Sequence, residues 1–489
     1  MKTGSRLVKN TSFVLFSEIL NKLFSFFFLA YAARILGPAN FGIYALIGTL
    51  VFFFSYLGNF GLVPMAIREI AKDKIKFEEL FNHILSLRMV LVVAVYPVLL
   101  AAVNILGYEP EVKHLIYVAG ISVIFSTFSG SFRILYIAFE RFKMPSLISS
   151  LVSFFSNFAN VVVLFLGFGL KGLIIVSFIG NILGAIISGL WVRNRFFRYR
   201  IVFHPSAWKN LISQSLPFAV LSFFQQATVH MNILLLSRVP GPFRADVAMG
   251  YYSPPSSLCR ASLIFPQSFW QAALPTIASN AGNLAMIEGI IGKATKSLLS
   301  VVIFPLILAA TIFPGEILTL LFGERYLVSS PAFTILGLAY ALQVYNAPIS
   351  VTLSASREIR QFIPWAAVVL GINFILAIPL IMYYSFVGAA VAFLVSRIIE
   401  TVMRHYLLRK IWGIRSLNTM RSLFSVLFPI VLIFALLLIA RSSGLGAGML
   451  FLLAVILYSA ALFVFKDLRQ GIVLLVDGLK RRTILMHGE

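Results

Sequence analysis

The sequence predicts an all-α integral membrane protein of about fourteen transmembrane helices: two pseudo-symmetric six-helix bundles followed by two C-terminal helices. Three observations carry this expectation. The 489 residues are 60% hydrophobic and 12% charged, with a mean hydropathy of +0.95; a soluble surface needs about twice that charged share. Apolar stretches of about twenty residues recur along the chain, the length over which a helix satisfies its own backbone while crossing a bilayer. The 40 Lys and Arg collect in every second connection between those stretches, as in a multi-pass protein that keeps its basic loops in the cytoplasm.

Taken in order, the first span runs from Thr11 to Ala33 and the second from Phe41 to Ile67. Spans over 80–106, 114–138, 146–166 and 172–192 complete a first lobe, residues 1–203. Glu18 and Lys22 interrupt the first apolar run and a further span follows closely. The run is therefore read as an uncleaved helix, although Ala30-Tyr31-Ala32 looks like a signal cleavage site. After the basic stretch Arg193–Arg200, a second lobe (residues 204–415) holds spans over 210–236, 249–278, 290–313, 332–354, 362–384 and 388–408. Residues 416–489 add spans over 422–440 and 447–465 and a tail whose charges surround the apolar Ile472–Val476. That tail either lies along the cytoplasmic interface against anionic lipids or is a short frayed end.

With these spans, 29 of the cations fall on one side. Seven fall on the other: Arg34, Lys113, Lys171, Arg238, Arg244, Arg325 and Arg441. Both termini are expected in the cytoplasm, and the formal charge of +23 then reports basic loops rather than nucleic-acid binding. One cysteine, Cys259, excludes an intrachain disulfide and a cysteine zinc cluster, and the six histidines lack metal-ligand spacing. No metal or cofactor is expected.

An internal repeat emerges when the lobes are compared. Ala33-Arg34 before Gly37-Pro38 matches Ser237-Arg238 before Gly241-Pro242, and Gly42-Ile43-Tyr44 matches Gly250-Tyr251-Tyr252. On this register Asn59 lies opposite Gln267, and Asn21-Lys22 opposite Gln225-Gln226. Helix breakers cluster in span two (Gly58, Gly61, Pro64), span seven (Pro217) and span eight (Pro254, Pro255, Pro266, Pro275). Interrupted helices at matching places in two lobes point to a transport cavity, or to kinks that serve packing alone.

Arg133, Lys293, Lys296 and Arg404 are counted with the adjoining basic connections, and four cations remain inside spans: Lys22, Arg88, Arg260 and Arg397. Each costs about 2.5–3.5 kcal/mol on insertion scales, so each should face protein or water. Glu18 and Lys22 are an i,i+4 pair on one helical face, and Gln225, Gln226 and Gln267 add polar groups to spans seven and eight. A cavity with such a wall suits an anion such as a phosphate or diphosphate, with the amides serving a sugar. Lys22 and Arg260 either meet that anion or pair internally, Glu18 taking up Lys22. Arg88 and Arg397 lie nearer span ends, where they either line the cavity or snorkel outward. Glu18 is alternatively a proton or sodium site.

The segment Ala33-Arg-Ile-Leu-Gly-Pro-Ala-Asn-Phe-Gly-Ile-Tyr-Ala45, with Leu57-Gly58 and Ile67-Arg68-Glu69-Ile70-Ala71, resembles the start of the polysaccharide-biosynthesis flippases. These include the O-antigen and exopolysaccharide repeat-unit transporters, within the superfamily of multidrug and toxin extrusion antiporters and lipid II flippases. The resemblance implies paired six-helix bundles with alternating access in a prokaryotic plasma membrane. It also implies a polyprenyl-diphosphate-linked oligosaccharide carried from the cytoplasmic to the outer leaflet by a monomer. Lys22 and Arg260 sit on the helices where related flippases place cavity cations.

Other strings carry less. Gly167-Phe-Gly169-Leu-Lys-Gly172 fits a dinucleotide fingerprint but lies in a turn between membrane helices. No Walker-type loop exists, so energy must come from an ion gradient or from use of the product. An ion-coupled exporter of cationic drugs is the rival reading, and a positive cavity opposes it. A membrane glycosyltransferase would want a larger extramembrane loop.

Overall fold

The structure is a computed structural model that describes residues 2–72, 77–139, 143–266, 277, 283–355, 361–414, 431–443 and 446–464. Among these every regular element is helical. Helix α1 (Lys2–Asn59) contains the first expected span and most of the second, bent where Gly37 leaves the helix at φ 68°, ψ 173°. Glycine enters that region without steric cost, and Pro38 restarts the helix where its missing N–H is not needed. The interruption expected in span two falls at Phe60 and Gly61, with φ of 42° and 66°. Helix α2 (Leu62–Lys72) then resumes.

Helices α3 (Phe77–Ile105), α4 (Pro110–Ala138), α5 (Lys143–Phe165), α6 (Gly169–Arg195) and α7 (Pro205–Leu236) follow. Each holds its expected span to within a few residues. Pro217 sits inside α7 without ending it. Helix α8 (Ala245–Ala261) passes through Pro254 and Pro255, ending at Ser262; the part of span eight that carries Gln267 and Pro275 lies outside the described residues.

Helix α9 (Leu284–Leu298), a π-helical turn (Leu299–Ile303) and α10 (Phe304–Ile312) make one span with an unexpected bulge. The next connection folds as α11 (Pro314–Phe322) and a 3₁₀ segment (Glu324–Ser329). Helices α12 (Ser330–Tyr345) and α13 (Ala347–Ala355) divide span ten at Asn346. Helix α14 (Phe362–Trp412) holds spans eleven and twelve, bent at buried Ser385, φ 50°. Two shorter apolar helices close the described chain, α15 (Val431–Ser442) and α16 (Ala447–Val464); the amphipathic tail lies outside it.

Among the described residues, eight helices are long and apolar enough to cross a membrane. Large apolar side chains stand exposed along them, among them Phe27, Ile105, Leu183 and Ile375. In water such surfaces would aggregate; in lipid they are already solvated.

The chain forms two compact units, Met1–Arg238 with Ala245–Gly250, and Val239–Arg244 with Tyr251–Glu489. In the first, Leu62 and Met65 of α2, Phe81 of α3, Phe132 of α4, Val192 of α6, and Trp208 and Leu211 of α7 share one core. The segment before α7 is tied to α3: the Arg200 N–H donates to Asn82 Oδ1 (2.9 Å) and the Val202 N–H to Ser86 Oγ (2.8 Å). In the second, Ile291, Val302, Val344, Leu407, Leu437 and Leu450 belong to one core, so α15 and α16 pack with α9–α14.

Within the first unit, two backbones touch through glycine. A Cβ on Gly42 would collide with the Asp246 carbonyl, and one on Gly250 with the Pro38 carbonyl. These are the two glycines that the internal repeat pairs. Because the obstacle is backbone, Gly42→Ala or Gly250→Ala should lower the unfolding free energy by about 2–3 kcal/mol. Gly48→Ala, with nothing within 4 Å of the new methyl, should be neutral or stabilising by up to about 1 kcal/mol. Thermal unfolding in detergent micelles reads both.

Candidate functional site

The second unit gathers arginines in its interior. Arg260, in the last turn of α8, is half-buried and donates through Nη2 to Ser257 Oγ at 3.2 Å. The neighbouring Ser256 shares a 3.2 Å hydrogen bond with the hydroxyl of Tyr340, fully buried on α12. That hydroxyl is within electrostatic reach of both Arg260 and Arg397. Arg397, on α14, is 3% exposed, its guanidinium 4.9 Å from the centre of the Phe393 ring. Phe393 in turn packs on Tyr340, ring centres 5.4 Å apart.

Among the described residues, one carboxylate, Glu400, pairs with Arg397 and with Arg404. Arg397 Nη1 donates to Glu400 Oε2 at 2.5 Å, and Arg404 donates to Glu400 Oε1 through Nε (3.0 Å) and Nη2 (2.5 Å). Arg404 also donates to Ser350 Oγ on α13. Residues 397, 400 and 404 share one face of α14 by helical spacing. Arg397 Nε is buried without a hydrogen-bond partner. Around them, Asn346 Nδ2 donates to Thr401 Oγ1 (2.8 Å), and Tyr345 pairs with His405 (3.0 Å). Buried guanidiniums lose their hydration and need such acceptors to be tolerated.

In the first unit, Arg88 on α3 is 3% exposed. It donates through Nη1 to Ser131 Oγ on α4 (2.7 Å) and through Nη2 to Asn59 Oδ1, the last residue of α1. Asn59 itself donates to the Ser55 carbonyl at 2.7 Å. The guanidinium thus braces the place where α1 breaks, and the partial negative charge of a helix C-terminus favours a cation there. The outward snorkelling considered for Arg88 and Arg397 does not occur: both are buried and held by neighbours.

The remaining predicted residues are dispersed. Gln225 and Gln226 stand exposed on α7, and Asn21 is half-buried on α1. Glu18 and Lys22 lie in α1 with side chains outside the described residues, and Gln267 lies outside them altogether. Sequence reasoning missed Glu400, taking Glu18 as the central embedded carboxylate, and assigned Arg404 to a cytoplasmic connection. Their i, i+3, i+7 spacing with Arg397 was the available signal.

The chain's relatives agree with this architecture. A Shigella flexneri protein named as an O-antigen transporter is 22% identical over 435 residues, covering 82% of this chain and 97% of the relative. A Haloferax volcanii protein named as a low-salt glycan biosynthesis flippase, Agl15, is 27% identical over 171 residues, 34% of this chain and 36% of that protein. Among solved structures, a lipid II flippase, MurJ, in an inward closed conformation superposes with a TM-score of 0.73 at 15% identity, over 92% of this chain and 98% of that one. That likeness is one of fold, and with the apolar helices it marks a multi-pass membrane protein. The family model described as polysaccharide biosynthesis protein matches residues 7–281, more than half of the sequence, and the chain belongs to that family.

Proposed function

We propose that this protein is an alternating-access flippase that moves a polyprenyl-diphosphate-linked oligosaccharide from the cytoplasmic to the outer leaflet, for polysaccharide or glycan biosynthesis. The observation that carries the reading is buried Arg397 and half-buried Arg404 paired with Glu400 among apolar helices, with half-buried Arg260 on the other side of Tyr340. Such a group is electropositive in a medium where charge is poorly screened, so an anionic lipid head is its natural guest. The names of the relatives, an O-antigen transporter and a glycan biosynthesis flippase, support the same cargo class.

In this reading fourteen spans form two six-helix lobes, 1–203 and 204–415, with 416–489 as an addition. Both termini lie on the cytoplasmic side of a prokaryotic plasma membrane. Arg260 and Arg397 meet the diphosphate, and Lys22 and Arg88 raise the potential from the first lobe. Asn21, Gln225, Gln226 and Gln267 offer hydrogen bonds to the sugars. Glu18 carries a coupling proton or sodium ion, and the protein works as a monomer without chemistry on its cargo.

Proteoliposomes loaded with a fluorescent polyprenyl-diphosphate sugar test this directly. Arg260→Ala and Arg397→Ala should each slow translocation about tenfold or more, the loss of one charge-assisted contact. Parent rates in both would overturn the assignment. The brace in the first unit gives a separate expectation. Arg88→Ala should lower the unfolding free energy by about 2 kcal/mol by leaving Asn59 and Ser131 without their donor. Adding Asn59→Ala should cost less than its effect alone, because the two changes remove the same contact; a double-mutant cycle of melting temperatures measures this.

A further inference from the structure

The arginines of the second unit are unevenly matched. Arg260, Arg397 and Arg404 bring three positive charges; among the described residues Glu400 is the carboxylate that Arg397 and Arg404 pair with, and Arg260 donates to Ser257. Both Glu400 oxygens are taken, Oε2 by Arg397 and Oε1 by Arg404. The other polar groups against them, Ser257, Ser350 and Tyr340, are neutral hydroxyls. Counted over the described residues, the group therefore holds three positive charges against one negative, two charges short of balance. Donors are also left over, since Arg397 Nε is buried with no acceptor. Arg404 keeps 18% of its side-chain surface and Glu400 13%, against 4% for Arg397, so the cluster is open on the Arg404 side.

A diphosphate that joins a prenyl chain to a sugar carries one ionised oxygen on each phosphate, two charges in all at neutral pH. A single phosphodiester in the same place carries one. Building on the flippase reading, we infer that Glu400 is a resident counter-ion that sets cargo specificity, leaving the arginines matched to a diphosphate-linked rather than a monophosphate-linked lipid. It is a positioning residue: it holds the two guanidinium forks toward one another and fixes how much charge the head group must supply. Were the glutamate absent, a third negative charge would be wanted. Were one arginine absent, a monophosphate would suffice.

Binding to the purified full chain in detergent tests this, with two short-chain ligands that differ by one phosphate: polyprenyl-diphosphate N-acetylglucosamine and polyprenyl-phosphate N-acetylglucosamine. The parent should prefer the diphosphate about tenfold. Glu400→Gln, close in shape, should tighten diphosphate binding about tenfold and monophosphate binding about threefold, since a dianion gains twice as much from one added positive charge. Arg404→Gln should lower the preference about threefold, the mirror of the Glu400→Gln change. The double variant Glu400→Gln/Arg404→Gln restores the charge balance without an unpaired carboxylate, and should recover the parent's preference even where a single variant folds poorly. Glu400→Asp should behave as the parent. A parent that binds the diphosphate while the preference stays the same in every variant overturns the role of Glu400 and leaves the flippase reading standing. A parent that binds neither ligand overturns both.

Discussion

Hydrocarbon offers no hydrogen bonds, and everything in this molecule answers to that constraint. Backbone groups must be paired within their own segment, so every regular element among the described residues is helical. Side chains that carry charge must bring partners with them, so Arg88 finds Asn59 and Ser131 while Arg397 and Arg404 share Glu400. The breaks obey the same rule. Gly37-Pro38 interrupts α1 with a glycine that takes a positive φ at no steric cost and a proline that suits the restart, and Phe60-Gly61 is braced through Asn59 by a buried guanidinium.

Much of this was legible in the sequence because it is local. Apolar length marks a span, and Gly-Pro between two such lengths marks the bend at Gly37. The clustered Gly58, Gly61 and Pro64 likewise announced the break at Phe60-Gly61, within the same few residues. The bend at Ser385 falls between the expected spans 362–384 and 388–408, but residue type did not mark its form: serine takes a positive φ that it disfavours, with Gly388 against the Leu380 carbonyl. The π-helical turn at 299–303 and the division at Asn346 have no strong local signature either.

The candidate site divides along the same line. That Arg88, Arg260 and Arg397 lie within spans could be read from hydropathy. That Arg260 and Arg397 share the surroundings of Tyr340, whereas Arg88 belongs to a different unit, could not. Glu400 was hidden for another reason: with Arg404 counted among the loop charges, the spacing that sets it on one face with Arg397 and Glu400, inside the expected span 388–408, went unread. The family model covers residues 7–281, which include Arg260 but not the α14 triad. The shared part of the sequence thus accounts for the frame, and the electrostatics of the second unit rest largely on residues that it does not describe.

The contact between Gly42 and Gly250 is reciprocal. Each glycine clears the main chain of the other's helix, Gly42 facing the Asp246 carbonyl and Gly250 facing that of Pro38. Pro38 precedes Gly42 by four positions, as Asp246 precedes Gly250. Both obstacles are main chain within one compact unit, so neither position can gain a side chain without parting α1 from the first turns of α8. Two missing methyl groups thus weld a stretch of chain from beyond residue 244 onto the first unit.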